Sequence, residues 1–352
     1  MKIAVIPGDG IGIEVVAEAL RVLDAVRPRL VQPIETVTFD WGAERYLRDG
    51  TTLPAGAVED LSKHYAAILF GTLGDRRVPE QIHARDILLG LRFSLDLYIN
   101  LRPVKLLDDR LTPLAGKRMR DIDMVVLREN TEGLYAGIGG NFKRGTSDEI
   151  AINEDLNTRK GVDRILRAGF DLARLRRSKL CMSDKANVLT YAHGLWQRAF
   201  AEMRDQYPDV EATHLYVDVA AMEFVRAPER FDVVVTSNMF GDILTDLGAA
   251  IVGGLGLAPS GNIFPGRCSL FEPVHGSAPD IAGRGIANPL GAILSLALLL
   301  RHVGEPASAA RIEAAVERTV RTGRTTRDLG GALSTRDAAD CVLAEIEQGG
   351  DA

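Results

Sequence analysis

The chain is poor in cysteine. Its three, Cys181, Cys268 and Cys341, are odd in number and far apart. They supply neither a disulfide framework nor a zinc-ligand spacing, and they fit a reducing cytoplasm. Long apolar runs are missing too. The longest, Ala292–Leu300, is too short to span a bilayer and reads as a core helix. The apolar part of the opening MKIAVIPGDG is too short for a signal peptide and leads straight into a strand and turn. Basic residues do not dominate: 42 Lys and Arg face 48 Asp and Glu, a net charge of −6. Without a basic stripe, neither nucleic acid nor a membrane surface is expected as a partner. A dinucleotide fingerprint is also missing. Pro7-Gly8-Asp9-Gly10-Ile11-Gly12 follows a short strand and precedes a helical stretch, but GxGxxG requires glycine where Ile13 stands. That turn reads either as a mononucleotide or nicotinamide-end contact or as a plain tight turn. There is no internal repeat and no low-complexity segment.

What is present is an ordinary globular composition, 46% hydrophobic and 26% charged over 352 residues. That length allows two domains, or one large α/β unit with an insertion. Strand-like segments at Lys2–Ile6, Glu35–Phe39, Ala66–Gly71, Met124–Leu127, Leu180–Ser183 and His214–Val217 alternate with helical spacing at Glu14–Val26, Thr158–Leu175, Val188–Arg204, Pro289–His302, Ala307–Arg321 and Asp337–Gln348. The alternation predicts an α/β fold with a mainly parallel sheet. Phe142–Asp155 reads as a hairpin arm, and Leu270–Asn288 as a glycine- and proline-rich loop of the kind that carries function.

The stretch Phe231–Leu247, FDVVVTSNMFGDILTDL, organises the rest. Val233-Val234-Val235 predicts a buried strand, and Gly241 precedes helical spacing in which Asp242 and Asp246 share one face. Two such carboxylates repel unless water, a cation or a basic partner lies between them. At the carboxyl end of a parallel strand they suit a divalent metal with its substrate. The alternative is a solvated acidic face, disfavoured because Phe240, Ile243, Leu244 and Leu247 crowd the same helix. Arg92, Arg102 and Arg128 stand at element ends, where a guanidinium fork matches carboxylates bidentately. Tyr135 is either a buried aromatic or a proton-delivering phenol. Lys185 is either a solvated tip or a desolvated amine, and Asp218, at the end of a strand, is either an N-cap or a further ligand.

IPGDGIG, LRF…LYINLRP, RENTEGLY, DKANVL, SNMFGDILTDL and FEPVHGSAPDIAG with IANP run nearly end to end. Through them the chain resembles the metal-dependent β-decarboxylating dehydrogenases, which act on 3-isopropylmalate, isocitrate, homoisocitrate or tartrate and D-malate. The resemblance implies a two-domain α/β sandwich that is not a Rossmann fold. Its cofactor-binding domain would span 1–98 plus 255–352, and its substrate and dimerisation domain 99–254, with an arm at about 136–155. It implies an enzyme using NAD and Mg²⁺ or Mn²⁺ as a cytoplasmic homodimer with shared sites. Arg92, Arg102 and Arg128 would clamp the substrate carboxylates. Asp242 and Asp246 would bind the metal with Asp218 of a second copy. Lys185, also shared across the dimer, would be the general base, and Tyr135 the proton donor. Ile11, Asn187, Glu272, His275, Gly276, Ala278, Asp280 and Asn288 would line the cofactor, Asn187 on the nicotinamide side with Thr72–Asp75. Asp280 would accept from ribose hydroxyls and repel a 2′-phosphate, which favours NAD over NADP.

The segment before Arg92 sets the substrate's C3 group in this family. Isocitrate enzymes carry a serine and an asparagine there for a third carboxylate, where this chain has Asp86 and Leu88. Leu88 and Leu89 offer apolar surface to an isopropyl group instead. The expected reaction is therefore oxidative decarboxylation of 3-isopropylmalate in leucine biosynthesis. The alternatives are tartrate or D-malate, another 3-alkylmalate, or a non-catalytic regulatory subunit. The last is disfavoured because Tyr135, Lys185, Asp218, Asp242 and Asp246 are all present.

Overall fold

Along Lys2–Gly8 successive side chains point to opposite faces, and both faces are buried. Ile3 and Val5 belong to one hydrophobic cluster, Ala4 and Ile6 to another. A strand apolar on both faces needs cover on both, which is the signature of a parallel α/β sheet. The computed structural model, which describes residues 1–348, has that architecture. Its strands are Lys2–Gly8 (β1), Glu35–Thr38 (β2), Ala67–Thr72 (β3), Ile99–Lys105 (β4), Asp123–Glu129 (β5), Gly139–Phe142 (β6), Ile150–Asn153 (β7), Lys179–Asp184 (β8), Glu211–Tyr216 (β9), Val233–Thr236 (β10), Pro259–Ile263 (β11) and Ser269–Pro273 (β12). The chain divides into two units. One holds Met1–Leu97, Lys105–Arg120 and the described residues from Ala249 onward; the other holds Tyr98–Val104 and Asp121–Gly248. Residues 349–352, the end of the cofactor-domain range anticipated above, lie outside the described residues.

In the first unit the strand order is β2-β1-β3-β12-β11. All these neighbours pair in parallel except β11 with β12, which are antiparallel. One face is covered by the helices Ile11–Val26 and Leu290–His302, the second of which is buried on nearly every side. Burial of this kind stabilises by about 25 cal/mol per Å² of apolar surface. The loop anticipated from Leu270 begins later, because Leu270–Pro273 belong to β12 and are buried. The glycine turn after β1 owes its sequence to close backbone approach. A Cβ on Gly8 (φ +71°) would lie 2.0 Å from the Thr72 carbonyl oxygen, and one on Gly10 (φ +57°) 2.1 Å from that of Ser277.

In the second unit β5-β10-β8-β9 are consecutive and parallel. The helices Arg159–Leu175 and Ala192–Arg204 pack on them, with Phe170 4.7 Å from the Tyr207 ring and Trp196 fully buried. Gly139–Phe142 and Ile150–Asn153 form an antiparallel hairpin whose residues are all exposed. Two boundaries differ from the sequence reading. The helix anticipated from Val188 starts at Ala192, because Val188 and Leu189 turn back to donate to the Lys185 carbonyl at 2.9 and 2.8 Å. Asp218 is neither the end of a strand nor an N-cap. It lies in the first turn of Val217–Arg226, whose N-cap is Tyr216.

Candidate active site

In the second unit β10 ends where the helix Asn238–Ile251 begins, and β10 pairs with β5 so that Thr236 lies opposite Arg128. That register carries Arg128, buried, to the first turn of the helix. Its Nε and Nη2 donate to Asn238 Oδ1 at 2.9 and 2.7 Å, and its Nη1 donates to Asp242 Oδ1. The helix comes this close because position 241 is glycine: a Cβ there would lie 2.6 Å from both Cβ and Cγ of Arg128. Arg102, on β4, donates from Nη1 to Thr245 Oγ1 at 2.6 Å. Its guanidinium lies 3.4 Å from Asp242 Oδ1 and 3.7 Å from Asp246 Oδ1. Tyr135, on the short turn Leu134–Ala136, donates its hydroxyl to Asp242 Oδ2 at 2.8 Å. Arg128 Cζ stands 4.9 Å from the Tyr135 ring centroid.

Five of the anticipated site residues therefore meet in one cluster: Arg102, Arg128, Tyr135, Asp242 and Asp246. Its electrostatics suit proton and cation chemistry. Burial first, then the hydrogen bond to the Asp242 carboxylate, pushes the Tyr135 phenol up, so it keeps its proton at neutral pH. Burial raises the Asp246 carboxyl; Arg102 works against this and the charge of Asp242 adds to it. The crowding foreseen around the aspartates is partial: Leu244 is buried, whereas Ile243 is 58% exposed. Asn238 and Thr245, which hold the two guanidiniums, were not foreseen. The break at Thr236-Ser237-Asn238 marked a helix start, but only the β5–β10 register reveals what Asn238 binds.

Lys185 and Asp218 form a separate pair. Lys185 follows β8, and its Nζ lies 2.6 Å from Asp218 Oδ1, which holds that carboxyl below its ordinary range. Asn187 is exposed on the same turn. Among the described residues no three His, Cys, Asp or Glu side chains stand together as a metal-binding group. The fit to Mg²⁺ or Mn²⁺ is thus one of chemistry and of part number: Asp242 and Asp246 are hard oxygen donors on one helix face, and further oxygens must come from elsewhere.

The first unit holds the remaining residues. Arg92 is buried with its Nη2 2.8 Å from Glu272 Oε1, which also accepts from Asn262 Nδ2 at 2.8 Å. An arginine expected to meet substrate and a glutamate expected to meet cofactor therefore face each other. The helix ahead of Arg92 contains a π turn, Arg85–Leu89. It buries Ile87 and leaves Leu88 and Leu89 adjacent and half-buried, while Leu91, read as part of their stripe, is core. Such π turns recur at functional sites. A cavity of about 290 Å³ is lined by Ile11, His275, Ala278, Ile281 and Asn288 among others. His275 Nε2 is buried without a hydrogen-bond partner among the described residues, and burial pushes the imidazole down so that it stays neutral. An orphaned acceptor in an apolar cavity fits the heterocycle of a nucleotide. Asn288 lines the cavity with its amide already committed, Nδ2 to Asp328 Oδ2 at 2.9 Å and Oδ1 from Leu290 N at 3.0 Å. Gly276 and Asp280 are exposed beside it in sequence.

A family profile described as isocitrate/isopropylmalate dehydrogenase matches residues 2–342. A 3-isopropylmalate dehydrogenase of Streptomyces griseus is 53% identical over 96% of this chain and 99% of its own length. One of Thermobifida fusca is 50% identical over 99% of each chain. Among solved structures, isocitrate dehydrogenase from Methylococcus capsulatus superposes with a TM-score of 0.88 at 38% identity, covering 99% of both chains.

Proposed function

The chain belongs to the isocitrate/isopropylmalate dehydrogenase family, and we propose that its own substrate is 3-isopropylmalate, oxidised and decarboxylated to 4-methyl-2-oxopentanoate. It is an oxidoreductase that uses NAD and Mg²⁺ or Mn²⁺. The observation that carries the mechanistic reading is the Asp242 cluster, in which two guanidiniums, a protonated phenol and a second carboxylate converge.

Mg²⁺ or Mn²⁺, once bound, would supply Lewis acidity toward the substrate's oxygens, and NAD would supply the hydride acceptor. Asp242 and Asp246 would hold the metal together with Asp218 of a second copy. Arg102 and Arg128 would hold substrate carboxylate, the role that the family resemblance also gives to Arg92. In the structure Asp242 is the shared ion-pair partner of two of these arginines. A substrate carboxylate competes for the same donors, and winning them frees the Asp242 oxygens for a cation. Lys185 Nζ, from the second copy like Asp218, would take the proton of the hydroxyl that is oxidised. After carbon dioxide leaves, Tyr135 Oη gives its proton to the C3 carbon; its raised pKa keeps that proton in place until then. Leu88 and Leu89 cover the isopropyl group, and the His275 cavity takes the adenosine end of NAD.

The second copy is part of the same reading. Lys185 and Asp218 pair with each other, so one chain supplies two metal-ligand carboxylates at its Asp242 cluster. The second unit leaves Tyr191 94%, Phe142 62% and Ile243 58% exposed, apolar surface that supports a homodimer. No helix among the described residues is long and apolar enough to cross a membrane. A cytoplasmic enzyme without membrane or nucleic-acid partners agrees with the acidic balance.

The test is NADH formation by the purified protein with Mn²⁺ on 3-isopropylmalate, D-malate, tartrate, isocitrate and homoisocitrate. The highest kcat/KM is expected on 3-isopropylmalate. A higher value on any other member would overturn the substrate assignment.

A further inference from the structure

The turn that carries Lys185 is held by three acceptors. Asp184 Oδ1 accepts from Ala186 N at 2.9 Å, and the Lys185 carbonyl accepts from Val188 and Leu189. The third is a side chain from the next helix: His193 Nδ1 accepts the backbone N–H of Lys185 at 3.1 Å. His193 is 1% exposed. Because Nδ1 accepts, the ring proton sits on Nε2, and Nε2 stands 3.5 Å from Asp155 Oδ2, a buried oxygen that makes no hydrogen bond among the described residues. Asp155 precedes Leu156, whose carbonyl accepts from Gly133 N at 2.7 Å at the start of the turn that carries Tyr135. The His193 ring also lies 5.3 Å from that of Phe240, two residues before Asp242. One imidazole thus meets the lysine turn, the aspartate helix and Asp155, whose neighbour Leu156 in turn holds the start of the tyrosine turn.

We propose that His193 is a positioning residue for Lys185: Nδ1 anchors the lysine's backbone, and the carboxylate of Asp155 faces Nε2–H and selects the tautomer able to accept. The proposal rests on the base role assigned to Lys185 above. A packing histidine would need only its ring volume. A positioning histidine needs the acceptor at δ1, and a wrongly seated base lowers kcat far more than substrate binding.

Two substitutions separate the ring's ends. His193→Asn keeps an acceptor at the δ1 position and loses Nε2; His193→Gln keeps a donor at the ε position and loses the δ1 acceptor. His193→Leu removes both. The measurements are kcat and KM on the best panel substrate, and amide hydrogen exchange at Lys185, with thermal melting to confirm folding. H193Q and H193L are expected to lose about 10- to 100-fold in kcat with little change in KM and to exchange faster at Lys185, while H193N stays near the wild type in both. Equal kcat for H193N and H193Q, or unchanged exchange at Lys185 in H193L, would overturn the proposal. If the wild type turned over no panel member, the functional reading would fall. Exchange would then decide alone: protection kept in H193N and lost in H193L supports the anchor, and equal exchange refutes it.

Discussion

Asp246→Asn should make the protein more stable without metal and less stable with it. Asp246 lies one helical turn from Asp242; burial and that neighbour's charge raise its carboxyl above the ordinary value near 3.8, while Arg102, 3.7 Å away, opposes the shift. An acid with a raised folded pKa binds its proton more tightly in the folded state. Its contribution to stability is complete below the unfolded pKa and is lost as pH rises through the folded one. At neutral pH the ionised Asp246 therefore weakens the fold. Asparagine keeps the shape and removes the charge. The side chain is 59% exposed, so solvent screens the effect. The gain is bounded by what exposed charge pairs contribute, up to about 1 kcal/mol, or roughly 1–2 °C in melting temperature for a chain of this length. Metal linkage has the opposite sign. At 100 times its Kd a cation stabilises the wild type by about 2.7 kcal/mol, and the variant forfeits most of this with one ligand carboxylate replaced by a neutral amide. Calorimetry in chelator and again in saturating Mn²⁺ should show the two melting temperatures exchanging order, with NADH formation lost in the variant. A variant that melts below the wild type in chelator, or that keeps the wild-type shift on adding Mn²⁺, would refute the reasoning.

Tyr135→Phe removes the hydroxyl that donates to Asp242; overall decarboxylation should slow by about 10²- to 10⁴-fold, and full turnover would remove the proton-donor role. Gly241→Ala sets a methyl 2.6 Å from the Arg128 stem; a loss of about 1–3 kcal/mol on denaturant unfolding and a raised KM for the hydroxy acid are expected, and an unchanged KM would detach Arg128 from substrate binding. Burial pushes the thiols of Cys181 and Cys268 up to about 11 and about 12, whereas Cys341 is half-buried; mass spectrometry after brief alkylation at mildly alkaline pH should find at most one label on the native protein and three after denaturation, and early labelling of Cys181 would contradict its burial.

Local patterning settled much of this molecule. Strands apolar on every residue, such as Val233-Val234-Val235, have one stable home, a sheet covered on both faces, and the β–α alternation left a mainly parallel sheet as the arrangement. The spacing of Asp242 and Asp246 placed them on one helix face before any coordinates. Boundaries were less legible: the helix after Lys185 begins late because its first turn is spent on backbone hydrogen bonds around the lysine, which no periodicity reveals. The same holds for Asp218, which looks like a capping residue but stands two positions past the N-cap and pairs with Lys185 across 33 positions of sequence.

Residue types and their spacing were thus determined by the chain alone, because period and side-chain chemistry are local properties. Partners were not. That Arg128 binds Asn238 as well as Asp242, that Arg92 meets Glu272, and that a histidine holds the lysine turn all depend on strand register and helix approach. Those follow from packing between segments up to 180 residues apart, and only the tertiary structure decides which donor ends beside which acceptor.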